Sequence, residues 1–212
     1  MAKIISGVFP DKKSTKTEKK DKPAPSYILL ISLTFSDPLI WRRVHVPGDI
    51  NLAMLHHVIQ LSMGWSDSHT HQFHVGKISY EPASADETIK ENKRYSERNF
   101  KLHDLEESMH FMFTYLYDAG DIWEHEIRLE EVVPSSTKLN NPVLLSGAQA
   151  CPPETVSDIH EYHTLLSSLE DPSCSGHKKF VELTGINDFD PDFFDLVTAQ
   201  NRLQQFLSND TI

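Results

Sequence analysis

From Tyr27 to Phe35 the chain alternates. Tyr27, Leu29, Ile31, Leu33 and Phe35 fall on one face, and Ile28, Leu30, Ser32 and Thr34 on the other. This period of two, rich in β-forming residues, predicts a strand. Ser36-Asp37-Pro38 punctuates it, and Trp41 to Val46 reads as a second strand ended by Pro47-Gly48. Asn51 is placed to cap a helix in which Leu52, Leu55, Ile59 and Met63 recur at helical spacing, and Gly64 is placed to stop it. Another strand is expected at His69 to Val75, extending into Ile78 to Glu81. Residues 82–100 mix both charges with Pro, Ser and Asn and read as a surface loop. The clearest hairpin pattern follows. Met109, Phe111, Phe113, Tyr115 and Tyr117 alternate along one arm, Trp123, His125, Ile127 and Leu129 along the other, and Asp118-Ala-Gly-Asp121 supplies the turn.

Beyond Val133 the prolines at 134, 142, 152 and 153 interrupt the pattern around a short apolar piece, Val143-Leu-Leu145. From Asp158 the period becomes helical. Asp158 and Glu161 form a capping-box-like start to a stripe of Ile159, Tyr162, Leu165, Leu166 and Leu169. Asp190-Pro191 predicts the start of a last helix burying Phe193, Val197, Leu203 and Leu207. Strands first and helices last predict an α+β fold. The expected form is a mainly antiparallel sheet of about five strands, with one helix packed on a face and a C-terminal helical layer. Residues 26–212 read as one domain, with a sheet core at 26–133 and an irregular connection plus helical layer at 134–212.

The formal charge of −11 is unevenly spread. Residues 1–25 carry seven lysines against Asp11, Glu18 and Asp21, a net of +4, which leaves −15 on the remainder. This basic tail has too few apolar residues to offset ordering entropy and is expected to be disordered, either as a solubilising leader or as a weak tether to nucleic acid or another polyanion. The acidic remainder argues against a duplex-reading surface, which depends on displacing counterions with basic groups. No run approaches the roughly 18 apolar residues of a membrane span. The start lacks a secretory h-region, and two cysteines exclude a disulfide framework. A cytoplasmic protein is expected.

Twelve histidines raise the question of a metal. His69 and His71 are two apart on an expected strand and share a side. Asp121, Trp123 and His125 share a parity on the second arm of the hairpin, and Asp118 lies at its turn. If the two strands are neighbours, His69, His71, His125 and Asp121 could gather around a divalent Zn, Fe or Mn ion. Glu154 would then be a possible base for metal-assisted hydrolysis. The competing expectation is structural: His71 and His125 as core-facing imidazoles held by carboxylates or backbone carbonyls, with Asp118 and Asp121 as turn residues. His56 and His57 are adjacent on a helix and diverge by about 100°. There is no nucleophile elbow, phosphate loop or dinucleotide fingerprint.

Three segments together resemble one family: Pro38-Leu-Ile-Trp-Arg-Arg43; Gly64-Trp65 followed by Asp67-Ser68-His69, His71 and Phe73; and Tyr115 and Tyr117-Asp118 followed by Gly120-Asp121, Trp123 and His125. Gly147, Cys151-Pro-Pro-Glu154, Tyr162, Leu165, Asp171-Pro172, His177 and Phe189-Asp-Pro191 extend the likeness. The pattern is similar to the Ri-plasmid ORF-3-like family, also called insertion-element passenger resolvase-like, over about residues 26–207. The sequence departs from it at Ala119, where Phe is usual, at Thr155 to Asp158, where Asp and a Gly pair are usual, and near Leu183-Thr184, where an aromatic is usual. The resemblance implies a module often found near mobile elements, with no settled catalytic activity. A recombinase needs a nucleophile among several arginines, and here only Arg42 and Arg43 are adjacent. The expectation is therefore a non-catalytic binding or accessory module with a protein or peptide partner. A metal-dependent hydrolase is the alternative, and DNA binding through the tail and Arg42/Arg43 comes third.

Overall fold

The computed structural model describes residues 24–82, 94–105, 112–118, 122–137, 139–169, 173 and 175–209. The basic tail up to residue 23, residues 83–93 of the surface loop, Met109 and Phe111 of the expected hairpin arm, and the turn residues 119–121 lie outside them. Among the described residues, an eight-stranded sheet runs β5-β4-β3-β6-β7-β1-β2-β8. Its strands are β1 (Ser26–Leu33), β2 (Trp41–Pro47), β3 (Thr70–Val75), β4 (Ile78–Glu81), β5 (Arg94–Ser96), β6 (Met112–Asp118), β7 (Ile122–Val133) and β8 (Val143–Ala148). The helices are α1 (Leu52–Met63), α2 (Ile159–Leu169), α3 (Ser175–Thr184) and α4 (Leu196–Asn209). The class is α+β, as expected. The sheet is larger than the expected five strands, and it is mixed, because β5 runs parallel to β4.

The alternation of β1 is the frame of the core. Tyr27, Leu29, Ile31 and Leu33 are buried against α1, whose own stripe of Leu52, Leu55, Ile59 and Met63 is buried in return. Both predicted caps form. Asn51 Oδ1 accepts from Met54 N–H at 2.8 Å, and Gly64, at φ 96°, donates its N–H to the Gln60 carbonyl. That φ is one only glycine adopts at little cost, and it turns the chain back beside its own helix.

Three differences have physical causes. Part of the expected surface loop is ordered as β5 and a 3-10 turn at Glu97–Asn99, pieces too short to carry a visible period. Val143-Leu-Leu145 opens β8, which pairs with β2 at the sheet edge, where Pro142 needs no ladder partner. The last helix does not begin at Asp190. Asp190 caps only a turn, its carboxylate accepting from Asp192 N–H at 3.0 Å, whereas Asp195 accepts from Thr198 N–H at 2.9 Å and starts α4. Phe193 therefore lies before the helix and is exposed, and within α4 the buried positions are Ala199 and Leu203, while Val197 faces solvent.

The edge of the sheet and the helices are locked by Arg42. This buried side chain donates to Ser62 O at 2.9 Å, to Trp41 O at 2.8 Å and to Ala148 O at 2.8 Å, with its guanidinium 3.8 Å from the Phe194 ring centroid. Ser62 lies in the last turn of α1, where carbonyls lack intrahelical partners and the dipole favours a cation. Gly147 provides the room. A β-carbon there would lie 2.6 Å from Phe194 Cε1 and 2.8 Å from Arg42 Cδ. Gly147→Ala is therefore expected to cost about 1–3 kcal/mol through overpacking, read as a lower midpoint in urea unfolding. No described helix is long and apolar enough to cross a membrane.

Candidate functional site

The register of the central strands decides which expected site residues meet. Tyr117 of β6 pairs with His71 of β3 on one side and Trp123 of β7 on the other, while Tyr115 pairs with Phe73 and His125. β6 thus lies between the two histidine-bearing strands. The Tyr115 ring stands between the imidazoles, 6.0 Å from His71 and 5.4 Å from His125, centroid to centroid. Each imidazole has its own partner. His71 Nε2 lies 2.7 Å from Glu97 Oε2, and His125 Nδ1 lies 3.2 Å from the Trp123 carbonyl. His69 sits just before β3, exposed, with its ring edge-on to Tyr117 at 5.6 Å. The described geometry does not converge His69, His71 and His125 on one point. Asp121 and the Asp118 side chain lie outside the described residues.

Glu154 is brought in, but as a clamp. It accepts from Ser66 N–H at 2.8 Å, Tyr117 O–H at 2.5 Å and Ser68 O–H at 3.3 Å. Beside it, Trp65 Nε1 donates to Pro152 O at 2.9 Å while the indole stacks on Tyr117 at 5.0 Å. The loop after α1 and the Cys151-Pro-Pro-Glu154 segment, far apart in sequence, therefore close one polar and aromatic cluster. Burial works against the Glu154 charge, but those hydrogen bonds outweigh it and hold the carboxyl below its ordinary range.

At the inner end of the cluster is a group that the spacing of the histidines does not reveal. His56, buried on α1, stacks on His71 with centroids 3.5 Å apart and planes 5° from parallel. Its Nδ1 lies 2.8 Å from Tyr115 Oη and its Nε2 lies 2.7 Å from Asp67 Oδ1. Gln60 ties both partners, donating to Tyr115 Oη at 2.9 Å and accepting from Asp67 N–H at 3.2 Å. His57 Nδ1 is 3.6 Å from Asp67 Oδ2. Adjacent helical positions diverge, so a search of the sequence for same-face ligands rejects this pair. Asp67 bridges the divergence from the returning loop. The one signal in the sequence is Gly64 as a helix stop three residues earlier.

Burial sets the charge states. It pushes the His56 imidazole down to about 2, with help from neighbouring His71 and His57, and His125 down to about 4. It raises Tyr117 to about 12 and the Cys151 thiol to about 12, the latter against the opposing pull of Arg42. Arg43, the other half of the adjacent pair, is engaged by Glu130 at 2.6 and 3.0 Å.

The family described as plasmid pRiA4b ORF-3-like protein matches residues 25–198. The chain is 33% identical over 162 residues to the uncharacterized protein y4hQ of Sinorhizobium fredii (strain NBRC 101917 / NGR234), covering 76% of this chain and 82% of that one. It is also similar to the crystal structure of MM3350, a protein of unknown function from Methanosarcina mazei Go1. The TM-score is 0.71 at 28% identity, over 82% of this chain and 97% of the other. The match over most of its length, in sequence and in fold, means that the chain belongs to the plasmid pRiA4b ORF-3-like family.

Proposed function

We propose that this domain is a non-catalytic binding or accessory module, associated with mobile elements, whose partner is a protein or peptide. The observation that carries the reading is Phe35. It is 75% exposed and held at φ 63° in the turn between β1 and β2. A bulky residue in the left-handed region costs on the order of 1–3 kcal/mol, and this one contributes nothing to the core in return. Leu39, half exposed, stands at the other end of the same turn. The turn forms one wall of a crevice whose other residues include Tyr162, Leu166 and Pro191, and Phe193, 61% exposed, follows on that far side. The crevice encloses about 10 Å³, room for about one water. Its size favours a peptide lying across apolar rims over an enclosed small molecule.

The acid–base groups support the non-catalytic half of the reading. The Cys151, His56 and His125 groups are pushed far from neutrality, where general acid–base catalysis works least well. The hydrolase alternative with His69, His71, His125 and Asp121 is disfavoured by the intervening Tyr115 strand and by Glu154's engagement. DNA binding through Arg42 and Arg43 is disfavoured because carbonyls hold one and Glu130 holds the other. Weak tethering of nucleic acid by residues 1–25 remains a proposal, as does a cytoplasmic location. The test is peptide selection from a displayed library on the full chain. Selected peptides are expected to bind at least tenfold more weakly to a Phe35→Asp/Phe193→Asp variant of unchanged melting temperature. Equal binding to that variant, or no enrichment, would refute the reading.

A further inference from the structure

We propose that His56, His57 and Asp67 form a binding site for one divalent transition-metal ion, and that Zn2+ fits it best. One ligand atom from each residue lies within 4.8 Å of the other two. Ligands about 2.0–2.1 Å from a tetrahedral ion sit about 3.4 Å from one another. Asp67 Oδ1 lies 2.7 Å from His56 Nε2, and Asp67 Oδ2 lies 3.6 Å from His57 Nδ1. Admitting an ion opens the Asp67–His56 contact by about 0.7 Å and brings the two imidazole nitrogens, which lie within 4.8 Å of each other, toward the same separation.

Each ligand is also held from behind, as metal ligands commonly are. His56 is fixed in plane by stacking on His71 and at its far nitrogen by Tyr115 Oη. When Nε2 gives its lone pair to the ion, the imidazole proton resides on Nδ1, where the Tyr115 oxygen can accept it alongside the Gln60 amide. Asp67 is held at its backbone by Gln60 and adopts φ 59°, a conformation Asp tolerates better than most residues. The His57 ring rests against Phe206 of α4 at 4.8 Å. Two imidazoles and a carboxylate, with no thiolate, suit a borderline cation. The three protein ligands leave a fourth position for water, on the side where the His57 and Asp67 side chains are 35% and 39% exposed. This set shares no residue with His69, His71, His125 and Asp121.

The experiment uses the full chain without a histidine tag, stripped with chelator and titrated with ZnCl2 by calorimetry, with metal content measured after gel filtration. One Zn2+ per chain and a raised melting temperature are expected. Asp67→Asn keeps the size of the side chain and an acceptor for His56, and His57→Gln keeps a polar side chain at a position about one-third exposed. Each should weaken Zn2+ binding at least tenfold while the metal-free protein melts within a few degrees of wild type. His160→Gln, at an exposed position on α2, should leave binding intact. Co2+ bound in place of Zn2+ should show the visible absorption of a four-coordinate site, and lose it in both variants. No stoichiometric uptake, or uptake of equal strength in both variants, would overturn the proposal. If Asp67→Asn fails to fold, His57→Gln alone decides.

Discussion

Arg42→Met is expected to lower the stability of the protein by about 3–5 kcal/mol. The loss does not come from the charge as such. Burial pulls the guanidinium down to about 10, which still leaves it ionised at neutral pH. What methionine removes is the donor set for three carbonyls, those of Trp41, Ser62 and Ala148. A buried acceptor left without a donor costs about 1–3 kcal/mol, and relaxation of the Phe194 ring above recovers only a part. Those carbonyls belong to β2, the end of α1 and the end of β8, so the substitution loosens three elements together. Arg42→Lys should recover little, because a single ammonium cannot reproduce the forked geometry that reaches all of them. Urea unfolding at pH 7 is the measurement. A loss below about 1 kcal/mol in Arg42→Met would mean that water or a rearranged loop satisfies the carbonyls.

The second large effect is acid destabilisation through His125. In the unfolded chain this imidazole titrates near about 6.5, whereas in the fold burial pushes it down to about 4. The unfolded state therefore binds the proton first. Stability from the neutral imidazole is complete above about pH 6.5 and is lost as the pH falls from there toward 4. At about 1.4 kcal/mol per pH unit the gap corresponds to about 3 kcal/mol. His56 acts in the same direction, since it too is held neutral by burial. His125→Phe keeps an aromatic ring and removes the proton site, and the Nε2 it deletes is buried without a hydrogen-bond partner. Its stability should fall less steeply than that of wild type over this interval, by about 3 kcal/mol. An identical pH profile would place the acid sensitivity elsewhere.

Local structure was legible where one face of an element meets the core. β1, α1 with Asn51 and Gly64, and the β6–β7 pairing all follow from periodicity and caps. The family likeness, carried by Trp65, Tyr115, Tyr117, Trp123, His125 and Glu154, was legible too. What periodicity does not encode is which strands become neighbours. His71 and His125 share the inner face of the sheet, as their parity requires, yet β6 enters between β3 and β7 and puts Tyr115 between them. Short edge pieces such as β5 were invisible for the same reason, and just beyond β5 comes Glu97, the partner of His71. The His56–His57–Asp67 group depends on a loop returning past a glycine stop, a tertiary event that no spacing rule marks. Phe193 and Val197, expected inside, are outside: Phe193 precedes α4, and α4 turns Ala199 and Leu203 to the core instead. The exposed Phe193 follows Pro191, which lines the crevice, by two residues.

NMR shift mapping of a selected peptide on the full chain decides whether the domain binds partners across its apolar rims. If it does, the perturbed signals will be those of Phe35, Leu39 and Phe193 and the turns that carry them, with His57 and Asp67 unmoved. Perturbations gathered instead around His57, Asp67 and Glu154, with Phe35 silent, would contradict it.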